Sequence, residues 1–430
     1  MTVPSPTSRT VALDLITAVL KRHRPLDEAL EGHSGFSALE PRERAFARNL
    51  VATTLRKLGQ IDDLINHCLE RPLPRRAIAV RDVLRLGVCQ LIFLNTPAHA
   101  AVDTTVSILD DVDLSAYKKL VNAIMRRLGR EGEKLVAAQD GPRLNTPDWM
   151  WDSWQQAYGK ATGRKIAEGH MREPTLDISI KDDPDRWAKA LAATILPTGS
   201  LRLEKSVNVT LLPGFDEGAW WVQDAAAALP VTLLGDVQGK QVIDLCAAPG
   251  GKTAQLVSRG AHVTAVERSA SRLKRLEENL VRLNMSAQTV CADAGEWLPS
   301  EKADAVLLDA PCSSTGTIRR HPDIPHLKKP EDVEKLGSAQ YRLLEAAINM
   351  VKPGGQLVFC TCSLQPEEGP DLIEKVLENH PSLQLHPISA GEVGGMDELI
   401  TGAGVLRSLP CHLPDLGGMD GFFTARLVHG

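Results

Sequence analysis

Two cysteines stand fifty residues apart, each where an apolar run gives way to a polar loop. Cys312 closes Asp309-Ala310-Pro311-Cys312 after Ala305-Val306-Leu307-Leu308, and Cys362 lies in Thr361-Cys362-Ser363 after Leu357-Val358-Phe359. Upstream is a glycine turn, Asp244-Leu245-Cys246-Ala247-Ala248-Pro249-Gly250-Gly251-Lys252. A thiolate forms covalent intermediates, so a thiol pair near a nucleotide-type turn points to covalent chemistry on a group held beside a cofactor. A thiol with the ordinary pKa of about 8.5 is only slightly ionised at neutral pH, so such a site must activate its cysteine.

The elements that would position these residues alternate. From about residue 237, strands are expected at 241–246, 262–266, 288–291, 304–308 and 355–360, and helices at 253–259, 270–283 and 338–351. Strand–helix alternation of this kind argues for a parallel, doubly wound Rossmann-like α/β sheet. Gly421 to Leu427 reads as a closing strand. Sites in such sheets lie at the carboxyl ends of strands, where Asp309, Cys312 and Cys362 fall. Cys360 is two residues earlier, about 6.6 Å deeper, and reads as core. Pro311 fixes the backbone beside Asp309 and removes a donor, suiting a wall against a planar ligand.

Ahead of this domain, residues 9–135 read as an all-α bundle of five to seven helices. Stripes run through Val11, Leu15 and Val19, through Phe46, Leu50 and Leu58, through Val80, Val83, Leu84, Val88, Leu91 and Ile92, and through Leu120, Val121, Ile124, Met125 and Leu128. Pro25, Pro41, Pro72, Pro74 and Pro97 punctuate them. Residues 141–236 read as a small α+β connector. It has a helix start at Thr146-Pro147 before Trp149, Trp151 and Trp154, and β-prone pieces at Leu176–Ile180 and Val207–Leu212. The expected domains are therefore 1–140, 141–236 and 237–430.

Composition narrows the class. The chain has 430 residues, 43% hydrophobic and 24% charged, as in a globular protein. No run of about 18 apolar residues is present, and Met1 to Pro6 lacks a signal-peptide pattern, so a cytoplasmic protein with no membrane span is expected. Its eight cysteines include no C-x-x-C pair, and no metal site is expected. Net charge is −5, but residues 1–140 carry +3 and the remainder −8. A basic surface on the first domain is compatible with this balance.

Three cofactors could occupy the glycine turn. A phosphate loop requires a glycine where Cys246 stands, and the dinucleotide fingerprint G-x-G-x-x-G is absent. S-adenosyl-L-methionine needs a turn around its methionine moiety, for which the glycine turn Asp244 to Lys252, which includes Cys246, Ala247, Ala248, Pro249, Gly250 and Gly251, is the candidate. It also needs a carboxylate for the ribose and a polar group for the adenine. Glu267 ends the second strand and Asp293 follows the third, in those positions. A methyl acceptor that requires a cysteine is carbon 5 of a pyrimidine, which carries no lone pair. Thiolate addition to carbon 6 makes carbon 5 an enamine-like nucleophile. Asp309 could interact with the ring nitrogen or amino group as charge develops.

Residues 237–430 resemble the catalytic domain of the RNA cytosine-5 methyltransferase family, the NOL1/NOP2/Sun group. The likeness is carried by Asp244 to Lys252, Ala303 to Gly316, Val351 to Ser363 and Gly421 to Leu427. It implies Cys362 as nucleophile, Cys312 as the residue assisting product release, and cofactor contacts from Cys246 through Lys252, Glu267, Asp293 and Asp309. Glu267 stands where many relatives have Asp, and Phe359-Cys360 replaces a more usual Tyr-Ser. Residues 9–135 resemble the NusB-like RNA-binding domain through Arg9 to Leu20, Val80 to Leu94 and Val121 to Leu128. Together the two domains are similar to bacterial small-subunit ribosomal RNA methyltransferases of the Sun/Fmu type. That likeness implies a monomeric enzyme acting on a cytosine of 16S rRNA, within a small-subunit precursor. Arg319 and Arg320 are the expected phosphate contacts. A tRNA cytosine-5 methyltransferase, or a non-catalytic RNA-binding or ribosome-assembly factor, are the alternative readings. The intact cysteines and acids count against the last.

Overall fold

Apolar residues at helical spacing build the first compact unit, Met1–Met171 with Ile318–Lys328. The computed structural model describes residues 7–74, 77–204 and 208–430. The expected reading of Met1 to Pro6 lies outside them. Among the described residues, eight α-helices, from Ser8–Arg22 to Lys118–Ala137, form the bundle. Val11, Leu15, Val19, Val80, Val83, Val121 and Met125 are fully or almost fully buried in one core. The prolines act as expected: Pro41 is the first residue of its helix, and Pro25 and Pro97 precede theirs. The helices Asp148–Tyr158 and Lys160–His170 belong to this unit and bury Trp154. The chain thus divides differently from the expected boundary at 140, because the Trp154 face packs with the helical unit.

The segment Ile318–Lys328 also lies in the helical unit. Asp323 accepts from the Leu26 amide at 2.9 Å, Arg56 donates to the Arg319 carbonyl at 2.9 Å, and His326 Nε2 lies 3.0 Å from the Leu55 carbonyl. Arg319 is only 1% exposed. Its expected role as a phosphate contact is therefore corrected: the side chain is buried, while Arg320 remains exposed.

The second unit, Arg172–Thr317 with Lys329–Gly430, holds two sheets. The smaller contains β1 (Leu176–Ile180), β2 (Thr194–Ile195), β3 (Leu201–Leu203) and β4 (Trp220–Val222), ordered β2-β3-β1-β4 and antiparallel. Buried Arg202 and Asp177 form a bidentate pair in it, at 2.7 and 2.6 Å. The second β-prone piece proves to be a short 3-10 turn, Val209–Leu211, and residue 207 lies outside the described residues.

The larger sheet contains β5 (Gln241–Leu245), β6 (His262–Glu267), β7 (Gln288–Cys291), β8 (Ala303–Asp309), β9 (Val351–Thr361), β10 (Leu383–Leu385), β11 (Leu406–Ser408) and β12 (Phe422–His429). Its order is β10-β12-β9-β8-β5-β6-β7, with β11 against β12. β5 to β9 run parallel, and β10 to β12 add antiparallel pairs. Ile243, Leu245, Val306, Leu308 and Phe359 pack on one face with the helix Pro330–Met350, while Val242, Leu307 and Val358 pack on the other with Leu229 and Leu256. The sheet is therefore doubly wound, as expected. Strand order reverses between β5 and β8, which opens a crevice at their carboxyl ends. Among the described residues, no helix is long and apolar enough to cross a membrane.

Gly316 ties the loop after β8 to its neighbours. Its amide donates to the Cys362 carbonyl at 2.9 Å, and its carbonyl accepts from the Gly421 amide at 2.8 Å. A Cβ there would lie 2.0 Å from the Gly421 carbonyl oxygen. Gly316→Ala should cost about 1–3 kcal/mol in equilibrium unfolding, because backbone must move. Gly129, inside Lys118–Ala137, has open space for a Cβ. Gly129→Ala should instead stabilise by ~0.5–1 kcal/mol.

Candidate active site

The glycine turn leaves β5 with Cys246 at φ 61° and reaches Gly250 at φ 100°, before the helix Gly251–Ser258. Gly250 is needed twice over: its φ is left-handed, and a Cβ would lie 2.9 Å from Leu276 Cγ. Arg272 donates to the Ala248 carbonyl at 2.6 Å and Asn279 to the Pro249 carbonyl at 2.9 Å. These contacts fix the turn, and Ala247 and Ala248 pack with Leu276 and Leu280.

Two carboxylates have unused acceptor capacity. Glu267 is 4% exposed; its Oε1 accepts from the Ser269 amide at 2.9 Å, while Oε2 has no hydrogen bond and faces Arg272 Nη1 at 3.4 Å. Such an atom at the end of β6 fits a ribose hydroxyl pair. Asp244 is fully buried, with Oδ2 accepting from Thr253 at 2.6 Å and Oδ1 without a hydrogen bond. Burial pushes its pKa up to about 7, against the lowering effect of Thr253. Asp293 accepts from both Arg342, at 3.1 Å to each oxygen, and the Gly295 amide at 2.8 Å. The Arg342 bonds hold its pKa below the usual carboxylate value.

At the end of β8, Lys252 Nζ lies 2.7 Å from Asp309 Oδ2 and 5.1 Å from the Phe422 ring centroid. Burial opposes the ammonium charge, but Asp309, Cys360 and Asp244 more than offset it, and the Lys252 pKa is raised. Cys360 is buried and donates to Asp309 Oδ1 at 3.5 Å. Burial and Asp309 hold its thiol well above the ordinary value. Cys246, too, is pushed up to about 12 by burial and by Asp309 and Glu267. Both shifts disfavour the thiolate.

Cys362 differs. Its Sγ lies 3.4 Å from Cys312 Sγ. The hydrogen bond from Cys312 lowers the Cys362 pKa, against burial. The same bond, with burial, raises the Cys312 pKa well above the ordinary value. The contact with Cys312 thus favours the thiolate form of Cys362. Cys362 is partly exposed, whereas Cys360 is buried, which matches the expected difference in depth.

The structure thus gathers Lys252, Asp309, Cys312 and Cys362 at adjacent strand ends, with Glu267 at the end of β6 and Asp293 after β7. Sequence reasoning missed Arg342 on Asp293. It also missed buried Glu368 and Gln340, which flank the Cys312 loop. Glu368 stands six residues after Cys362, a proximity that was the only available signal.

A doubly wound sheet with this turn and these acids has the build of an S-adenosyl-L-methionine-dependent methyltransferase. Residues 231–428 match the family model for 16S rRNA methyltransferase RsmB/F, and residues 6–130 match the NusB family. Ribosomal RNA small subunit methyltransferase B of Vibrio cholerae is 34% identical over 92% of this chain and 93% of its own. The Pasteurella multocida protein of that name is 33% identical over 98% and 95%. The crystal structure of PH0851 aligns with TM-score 0.73 at 23% identity, covering 99% of both chains, and shares the fold. The chain belongs to the ribosomal RNA small subunit methyltransferase B family, whose methyl donor is S-adenosyl-L-methionine and whose substrate is rRNA.

If Cys312 holds the proton, Cys312→Ala should shift the pH profile of Cys362 alkylation upward. Peptide-resolved mass spectrometry after iodoacetamide treatment reads this directly. About tenfold less thiolate at neutral pH is expected for each unit of rise.

Proposed function

We propose that the protein methylates carbon 5 of a cytosine in 16S rRNA through a covalent bond between Cys362 and carbon 6. The observation that supports this most is the 3.4 Å contact between two thiols shifted in opposite directions. Methyl transfer to nitrogen or oxygen has no use for such a pair, because those atoms carry a lone pair.

The target base must leave its stack to reach a strand-end pocket. The Cys362 thiolate adds to carbon 6, and the ring electrons move onto carbon 5. Asp309, held by Lys252, orients the ring by accepting from its amino group. S-adenosyl-L-methionine supplies the electrophilic methyl group that carbon 5 takes up. Glu267 and the Cys246–Lys252 turn would hold that donor, and Asp293 would contact its adenine. A base then removes the carbon 5 proton, the ring double bond re-forms, and the bond to Cys362 breaks with its electron pair returning to sulfur. Cys312, beside the leaving sulfur, assists this release. The enzyme acts as a monomer in the cytoplasm, on rRNA of the small-subunit precursor.

Cys362→Ala should abolish methylation while calorimetric binding of the donor remains within about threefold of wild type, since the turn and Glu267 are untouched. Methylation at the wild-type rate would refute the covalent scheme. Cys312→Ala should accumulate a protein–RNA adduct that survives denaturing gels, and absence of any adduct would remove its release role. Bisulfite sequencing of RNA from a deletion strain should lose one 16S cytosine signal. Loss confined to tRNA would overturn the substrate assignment.

A further inference from the structure

Glu368 is the most deeply buried acid near the reacting sulfurs, with no exposed surface, in the turn Pro366–Glu368 after Cys362. Three donors converge on it. Its Oε1 accepts from the Ser313 amide at 2.9 Å and from Gln340 Nε2 at 3.0 Å, and its Oε2 accepts from the Ser313 hydroxyl. Gln340 Nε2 also donates to the Pro311 carbonyl at 2.9 Å. The residues on both sides of Cys312 are therefore held by one carboxyl group and one amide. The turn is itself anchored to the nucleophile strand, because the Glu368 carbonyl accepts from Thr361 Oγ1 at 2.9 Å.

A second layer ties the same two loops together. The Ser313 and Ser363 hydroxyls lie 3.0 Å apart, and Thr315 Oγ1 accepts from the Leu364 amide at 2.9 Å. Cys312 has little room to choose its own position. We propose that Glu368 is a positioning residue which, through Ser313 and through Gln340 on Pro311, sets the Cys312 thiol against Cys362 and so places the proton donor at the nucleophile. It touches neither substrate nor donor; it acts through Cys312. The importance of that placement rests on Cys362 being the nucleophile, as proposed above.

The groups that bear on Cys362 are Cys312, Asp309 and Lys252, with Ser314 as a further hydrogen-bond partner. Glu368 bears on Cys312. If Glu368 acts by placing Cys312, its loss should reproduce the loss of Cys312 at Cys362, and the two should not add.

The test uses the full chain without RNA. Cys362 alkylation by iodoacetamide is followed against pH, with peptide mapping, in wild type, Glu368→Gln, Cys312→Ala and the double variant. Expected is an upward shift in Glu368→Gln of at least half that in Cys312→Ala, with no further shift in the double variant. A wild-type profile in a Glu368→Gln protein that melts normally, or additive shifts in the double variant, would overturn the proposal. Should Glu368→Gln fail to fold, Gln340→Leu, which frees Pro311 but leaves Ser313 held, must show the same upward direction. Methylation assays on these proteins and on Cys362→Ala separate the two readings. If Cys362→Ala still methylates while the alkylation shifts follow expectation, the nucleophile reading falls and the positioning role stands. If Cys362→Ala is inactive and Glu368→Gln leaves the profile unmoved, the positioning role falls and the nucleophile reading stands.

Discussion

β8 and β9 run parallel and in register, so that Asp309 pairs with Cys360 and both chains leave the sheet side by side. The rest of the site depends on this alignment. It brings the loop of Cys312 and the end of Cys362 within 3.4 Å, although fifty residues separate them in sequence. A single shared proton between two sulfurs then does what an isolated thiol cannot. It lowers the Cys362 pKa and raises that of Cys312. The neighbouring thiols show the contrast, since burial, with Asp309 beside it, raises the pKa of Cys246 and Cys360, and neither has a thiol partner among the described residues to offset it.

The reversal of strand order between β5 and β8 supplies the second component. It sets Lys252, from the glycine turn, against Asp309, from the strand next to it. The cofactor turn is thereby joined to the carboxyl end of β8 through one ion pair. Asp309 is shared between Lys252 and Cys360, which fixes both of its oxygens. Direct contact with a base would have to be made from that fixed position.

Much of this was legible in the sequence because parallel strands are buried on both faces and read as uninterrupted apolar runs. The five parallel strands fell within a few residues of their expected places for that reason. The strands of the smaller sheet were harder to read: β2, β3 and β4 have two or three residues each, too few for a period of two to register. The helix Pro330–Met350 begins eight residues earlier than expected, since its first turns are polar and solvated. Arg319 looked like a phosphate ligand by type and position, but burial is a tertiary property, and it packs in the helical unit. Glu368 was invisible for the opposite reason. The second of two adjacent glutamates in a polar stretch reads as surface, and only the fold brings Ser313 and Gln340 to it.

The account stands on Cys362 forming the bond to the base. RNA carrying 5-fluorocytosine in place of cytosine tests this directly, because after methyl transfer carbon 5 holds fluorine rather than a removable proton and the covalent complex cannot resolve. Digestion of the trapped complex and fragmentation of the peptide that carries the nucleotide should place the modification on Cys362, and on neither Cys360 nor Cys312. A nucleotide found on Cys312, or the absence of any covalent complex with an enzyme active on ordinary RNA, would contradict the account.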